Sequence, residues 1–127
     1  MSYLEDTIDW QTARDLSNWL DDNVSEVYQN QPLAQDWARI AKVQEELGEA
    51  IAEFISWTGQ NPRKPINPQA KANMMTELAD TALTAIYAMV HFSERFPDGS
   101  SPRHILMERM KHHADRIGLY ASSPDIG

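Results

Sequence analysis

The acidic stretch from Ile40 to Trp57, IAKVQEELGEAIAEFISW, constrains the fold of this chain more than any other segment. An α-helix turns by about 100° per residue, so Glu46, Glu49 and Glu53 form one narrow stripe on a helix built from this segment. An apolar face lies beside the stripe and consists of Val43, Leu47, Ile51 and Phe54. Like charges three or four residues apart destabilise a helix by about 0.2–0.5 kcal/mol per pair. We interpret the stripe as a candidate cation site, because a divalent cation converts this repulsion into coordination.

A second acidic pair follows in the segment MMTELADTALTAIYAM, where Glu77 and Asp80 lie three residues apart and therefore on one helical face. The first helix is expected to end near Trp57, and the next is expected to begin at Pro68. The loop between them is only about ten residues long, so the two helices should pack antiparallel.

Helix rise places the two acidic groups at the same level of this hairpin. At about 1.5 Å per residue, Glu49 lies about 12 Å before the end of its helix and Glu77 about 13.5 Å after the start of the next. We therefore expect Glu49 to face Glu77 and Glu46 to face Asp80, with four carboxylates around one space. Carboxylate oxygens suit Mg²⁺, which usually retains water and contacts substrate phosphates, with Mn²⁺ as an alternative.

Prolines and glycines divide the chain into helices. The apolar periodicity and the Asn-Gln-Pro, Asn-Pro and Ser-Pro start signals predict four of them, at roughly 6–22, Pro32–Trp57, Pro68–Arg95 and Pro102 to about Ile117. Residues 24–28 are expected to add a partial turn. We predict one all-α domain over 1–127, a four-helix bundle built on a central antiparallel helix hairpin, with its core at 30–118 and a loose tail at 119–127.

The balance of charge limits the partners of this chain. It has 19 acidic residues against 11 lysines and arginines and a net charge of −8, which argues against a nucleic-acid or anionic-membrane surface. A free nucleotide remains compatible, since cations can bridge its phosphates to acidic groups. Cysteine is absent, which excludes disulfides and thiolate metal sites and favours the cytoplasm. No secretory signal pattern and no run of about 18 apolar residues are present, so we expect no membrane span.

The two acidic motifs together resemble a known signature. EELGE at 45–49 followed by ELAD at 77–80 is similar to the EExxE…ExxD pattern of the MazG-like all-α nucleoside triphosphate pyrophosphohydrolases, and the resemblance covers roughly 38–117. It implies cleavage between the α and β phosphates to a monophosphate and pyrophosphate, with Mg²⁺ held by the motif acids. Carried over by position, the implied metal ligands are Glu46, Glu49, Glu77 and Asp80. Glu45 would orient or deprotonate water or hold a further metal, and the general base is left open between Glu45 and Glu49.

Candidate substrate-binding residues lie next to the acids. Lys42 precedes Glu46 by one helical turn and Arg39 lies about one turn further back, so both could meet substrate phosphates or pair with acids. Tyr87 lies on the same helical stripe as Glu77 and could stack on a base, and its alternative role is core or interface packing. Arg63 and Lys64 in the interhelical loop are expected to be surface charges.

A second function class stays open beside the enzyme. The acids could hold a structural or vestigial metal in a non-catalytic helical oligomerisation or interaction module. A di-iron carboxylate bundle fits less well, because neither Glu46 nor Glu77 has a histidine three residues later. The helix at 68–95 is apolar over much of its circumference and the chain has four tryptophans, so we expect a homodimer or homotetramer.

Overall fold

A computed structural model describes residues 8–97 and 99–120. Over these residues the chain is all-helical and contains no strand. The elements in order are α1 (Trp10–Asp22), a single 3-10 turn (Glu26–Tyr28), α2 (Pro32–Thr58), α3 (Ala70–Arg95) and α4 (Pro102–Arg116). The all-α class with four helices is thereby confirmed, and the expected partial turn at 24–28 is the 3-10 turn.

Local capping shifts two predicted helix starts, and α2 and α4 each end within one residue of the prediction. α1 begins at Trp10 rather than near residue 6, because the Asp9 side chain caps it by accepting from the Thr12 amide at 3.1 Å. α3 begins at Ala70 rather than Pro68, since the Asn67 side chain accepts from the Gln69 amide in a turn before the helix. α4 ends at Arg116, one residue early. The part of the predicted tail at 121–127, like residues 1–7, lies outside the described residues.

The end of α2 follows from glycine. Gly59 adopts the left-handed backbone conformation with φ 70°, and its amide donates to the Ile55 carbonyl to close the last turn. A Cβ at this position would lie 2.9 Å from Ile66 Cγ1, so the loop packs closely against the helix end here. The position of this helix end limits where the antiparallel helix α3 can begin, and therefore the register of the hairpin.

α2 and α3 run antiparallel and present matching positions to each other. Near the loop, the Asn73 side-chain amide donates to the Glu53 carboxylate at 3.4 Å. Near the other end, Asp36 of α2 contacts the His91 ring of α3 at 2.8 Å. Each turn back along α2 therefore matches one turn forward along α3 over most of their length.

The buried core is small and made mainly of short side chains. The buried apolar residues in the described part of the chain are Ala13, Ala50, Ala70, Ile86, Ala88 and Val90. α1 packs on α3 through Ala13 and the fully buried Ser17. No residue of α4 is buried. Alanines let the helices approach closely but bury little apolar area, so much larger apolar surface stays outside.

That outside surface forms an exposed apolar face on the hairpin. Its members on α2 and α3 are Leu47, Ile51, Phe54, Met75 and Leu78. An exposed apolar patch of this kind is typical of an interaction surface. Within the described residues, no helix is long and apolar enough to cross a membrane.

Candidate metal centre and adjoining cavity

Three acidic side chains from the two central helices come together halfway along the hairpin. Carboxylate oxygens of Glu46, Glu77 and Asp80 lie within 4.8 Å of one another. Glu46 and Glu77 are half-buried, and Asp80 is exposed. The hairpin register brings the three together. Glu77 and Asp80 lie one turn apart on α3, and Glu46 lies at the same level on α2. Three oxygens at this spacing can enter the shell of one divalent cation.

Glu77 is the most constrained member of the group. Its Oε2 atom is inaccessible to solvent and has no hydrogen-bond partner among the described residues. Burial raises the pKa of Glu77 above its usual value, and a hydrogen bond to Glu49 and the charges of Glu49, Asp80 and Glu46 raise it further. A buried carboxylate oxygen without a hydrogen-bond partner normally destabilises the folded state. A cation bound at this position would reduce the repulsion between the acids and would supply the missing partner.

The fourth predicted ligand, Glu49, stands beside this group rather than within it. Its side chain is exposed and is not one of the three that share the 4.8 Å spacing. It still acts on Glu77, because its charge contributes to the raised pKa of that residue. The expectation that all four acids converge on one space is therefore met by three of them, with Glu49 adjacent.

Glu45 and Lys42 form the outer edge of the acidic group. The ammonium of Lys42 lies 3.1 Å from Glu45 and 3.5 Å from Glu46. The hydrogen bond to Glu45 raises the pKa of Lys42, and the charges of both glutamates add to this against the effect of burial. Lys42 therefore partly neutralises the acids, which was one of its two predicted roles. The Glu45 side chain is 58% exposed, so it can reach water.

A cavity of about 390 Å³ opens next to the acids. It lies between the end of α1, the 3-10 turn and the half of the α2–α3 hairpin that is remote from the connecting loop. Its lining residues are Leu20, Asn23, Val24, Ser25, Tyr28, Gln35, Ala38, Arg39, Lys42, Thr84 and Tyr87. Lys42 and Thr84 each stand one helical turn from an acid of the group, Glu46 and Asp80 respectively. The three predicted substrate-binding residues, Arg39, Lys42 and Tyr87, thus line one cavity that adjoins the candidate metal centre.

Arg39 is held in the cavity wall by α1. Its Nη2 donates to the Ser17 carbonyl at 2.6 Å, to the Ser17 hydroxyl at 3.0 Å and to Asp21 at 3.0 Å. The Ser17 hydroxyl in turn donates to the Tyr87 carbonyl at 3.1 Å. These contacts fix the guanidinium through several charge-assisted bonds. By contrast, Arg63 and Lys64 are exposed in the loop beyond α2, as expected.

A buried ionic network behind the cavity was not foreseen from the sequence. The His91 ring, only 6% exposed, lies between Asp21 of α1 and Asp36 of α2. Arg95 donates to the other oxygen of Asp36 at 2.7 Å. In the sequence, His91 lies two helical repeats of seven residues after Glu77, in a segment that is otherwise mainly apolar. Its partners are 70 and 55 residues away, so no local spacing pairs them.

The charges in this network stabilise each other's ionised forms. Burial raises the pKa of Asp21, but its contacts with His91 and Arg39 outweigh this and leave that pKa below the usual range. The same holds for Asp36, where burial is outweighed by Arg95 and His91 and the pKa is again lowered. Both aspartates are therefore ionised at neutral pH and act as acceptors only.

No protein-family model matches this chain, and comparison with curated proteins and with solved structures finds none that is significantly similar to it.

Proposed function

We propose that the protein is a divalent-metal-dependent hydrolase of nucleotides, which cleaves a nucleoside triphosphate or related nucleotide to the monophosphate and pyrophosphate. The observation that carries this proposal is the convergence of Glu46, Glu77 and Asp80 beside a cavity of about 390 Å³. That volume lies within the range of about 300–1,000 Å³ typical of small-molecule sites. A nucleotide requires a place for its metal-bound phosphates and a pocket for its nucleoside, and Lys42 links the acids to the cavity by its contact with Glu46.

In this proposal Glu46, Glu77 and Asp80 hold Mg²⁺, with Mn²⁺ as an alternative. The cation would supply charge neutralisation and orientation for a phosphate chain, which is most of what phosphoryl transfer asks of a protein. Glu49 and Glu45 stay outside the group of three. Either could accept a proton from the attacking water, and the electrostatic effect of Glu49 on Glu77 supports Glu49 as a candidate.

The adjoining cavity would hold the nucleoside. Tyr28 and Tyr87 supply aromatic rings for a base, and Lys42 stands between the cavity and the acids. Lys42 could therefore exchange part of its contact with Glu46 for a phosphate oxygen. The Arg39 guanidinium is already engaged by Ser17 and Asp21, so its role would be to shape the pocket as well as to add positive charge.

We also propose that the protein works as a homodimer or homotetramer. The exposed apolar face of α2 and α3, defined above, is the surface available for a second copy. Covering it would compensate for a core made mainly of alanines, because buried apolar area stabilises a fold by about 25 cal/mol per Å². The acids lie on the same hairpin, so the interface would border the site.

A non-catalytic interaction module is the second candidate, favoured by the exposed apolar face and by the absence of any buried residue in α4. In that case the acids would hold a structural metal or none. The module requires neither the cavity nor an additional acid such as Glu45 at its edge.

Pyrophosphate release distinguishes the two candidates. A panel of ribo- and deoxynucleoside triphosphates is incubated with the protein with and without Mg²⁺, and products are separated by ion exchange. We expect Mg²⁺-dependent formation of monophosphate and pyrophosphate that is lost in Glu77→Gln. Glu108→Gln, which changes an exposed acid of α4, is the matched control and should retain activity. Absence of turnover across the panel, or turnover unaffected by Glu77→Gln, would favour the module.

A further inference from the structure

The buried network behind the cavity joins three helices through one imidazole. His91 Nδ1 lies 2.9 Å from Asp21 Oδ1, and His91 Nε2 lies 2.8 Å from Asp36 Oδ1. Each ring nitrogen therefore faces a carboxylate from a different helix. An ionised carboxylate can only accept hydrogen bonds, so both ring nitrogens must donate, which requires the protonated imidazolium.

The same Asp21 carboxylate reaches the cavity wall. Asp21 Oδ1 accepts from Arg39 Nε at 3.2 Å and from Gln35 Nε2 at 3.1 Å. Arg39 and Gln35 both line the cavity of about 390 Å³. His91 does not line the cavity, and Asp21 is the side chain that links its ring to Arg39 and Gln35.

We propose that His91 is a positioning residue, which as an imidazolium fixes the Asp21 carboxylate and thereby holds the Arg39 and Gln35 side chains in the cavity wall. The arrangement of the network stands on the geometry alone. Its consequence for substrate rests on the proposed function, because it assumes that a nucleotide occupies the cavity.

The contacts around the ring explain why its two donors matter. The charged groups of the network are Asp21 from α1, Asp36 and Arg39 from α2, and Arg95 from α3. Without the ring, Asp36 is still held to α3 by Arg95. Asp21 then has no side-chain partner on α3 and keeps only Arg39 and Gln35, which belong to the cavity wall, so the change is expected in the wall.

Nuclear magnetic resonance on the full chain tests this without any ligand. The exchange of the Arg39 Nε proton with solvent is measured at one fixed pH in the wild type and in His91→Gln. We expect exchange to be about tenfold faster in His91→Gln, as the loss of one charge-assisted contact to Asp21 implies. An exchange rate in His91→Gln equal to that of the wild type would overturn the proposal.

Asp21→Asn provides a second variant in case His91→Gln does not fold. It retains the size of the side chain and removes the charge that Arg39 contacts, so Arg39 exchange should be faster than in the wild type. Slow exchange in this variant would contradict the proposal.

Binding separates the positioning role from the proposed function. The probes are the α,β-imido analogues of dATP and dCTP with Mg²⁺, measured by isothermal titration calorimetry. If either binds, His91→Gln should weaken it about tenfold. If neither analogue binds the wild type, the proposed function fails, and the exchange of Arg39 still decides the role of His91.

Discussion

Replacement of Asp36 by alanine tests the energetics of the buried network most severely. Asp36 is 7% exposed, and both of its oxygens are occupied, one by His91 at 2.8 Å and one by Arg95 at 2.7 Å. Removing one partner of a buried ion pair costs about 3–5 kcal/mol, because the remaining charge is left without compensation. Arg95 is 31% exposed and can turn toward water, whereas His91 at 6% cannot. We therefore expect the lower end of that range, about 3 kcal/mol.

Urea denaturation followed by circular dichroism at neutral pH measures this loss of unfolding free energy directly. Thermal denaturation gives a second readout. For a chain of this size about 1 kcal/mol corresponds to a shift of roughly 4 °C, so the melting temperature should fall by roughly 12 °C. Asp22→Ala on α1 is the control, because that aspartate is exposed, and it should change stability by less than about 0.5 kcal/mol. A loss below about 1 kcal/mol in Asp36→Ala would refute the inference that the network is a major source of stability.

The dependence on pH provides a second check with a fixed sign. The folded state lowers the pKa of Asp36, so its stabilising contribution is complete above the ordinary aspartate pKa of about 4. It is lost as the pH falls through the lower folded value. The difference in stability between wild type and Asp36→Ala should therefore be constant from pH 5 to 7 and shrink below about pH 4. A difference that grows on acidification contradicts this assignment.

Three further predictions concern the acids, the hairpin turn and the apolar face. The fold raises the pKa of Glu77, so at a pH above that raised pKa the ionised Glu77 destabilises the folded state. Glu77→Gln should therefore increase the melting temperature at neutral pH without divalent cations. Added Mg²⁺ should stabilise the wild type alone. A lower melting temperature for the variant would contradict this. Gly59→Ala should cost about 1–2 kcal/mol in urea denaturation, because φ is 70° and the new methyl group would meet Ile66; no change would mean that the turn relaxes freely. Ile51→Glu should convert the proposed oligomer to monomers in sedimentation equilibrium, and an unchanged mass would place the interface elsewhere.

The hairpin could be anticipated from sequence because its register depends on local quantities. Gly59 ends α2, a short loop follows, and a constant helical rise then places Glu77 and Asp80 opposite Glu46. The same arithmetic could not show that Glu49 stands outside the group of three, since that depends on the rotation of each helix about its axis and on side-chain rotamers. Spacing alone does not determine either.

The buried network and the cavity could not be anticipated, because both depend on where α1 docks. Asp21 lies in a run of polar residues, Asp-Asp-Asn, which is typical of a helix end, and His91 lies in a mainly apolar helix. They meet only when α1 packs across α3 through small side chains such as Ala13 and Ser17. Tertiary contacts of this kind carry no periodic signal in the sequence. A buried histidine between two aspartates is therefore visible only in three dimensions.

Direct binding of Mn²⁺ to the protein without nucleotide tests the central claim that Glu46, Glu77 and Asp80 hold a divalent cation. Electron paramagnetic resonance of free Mn²⁺ during titration gives the number of sites and their affinity. We expect saturable binding by the wild type and by Glu108→Gln, at least tenfold weaker binding by Glu77→Gln and Asp80→Asn, and competition by Mg²⁺. Equal Mn²⁺ affinity in the wild type and Glu77→Gln would contradict it.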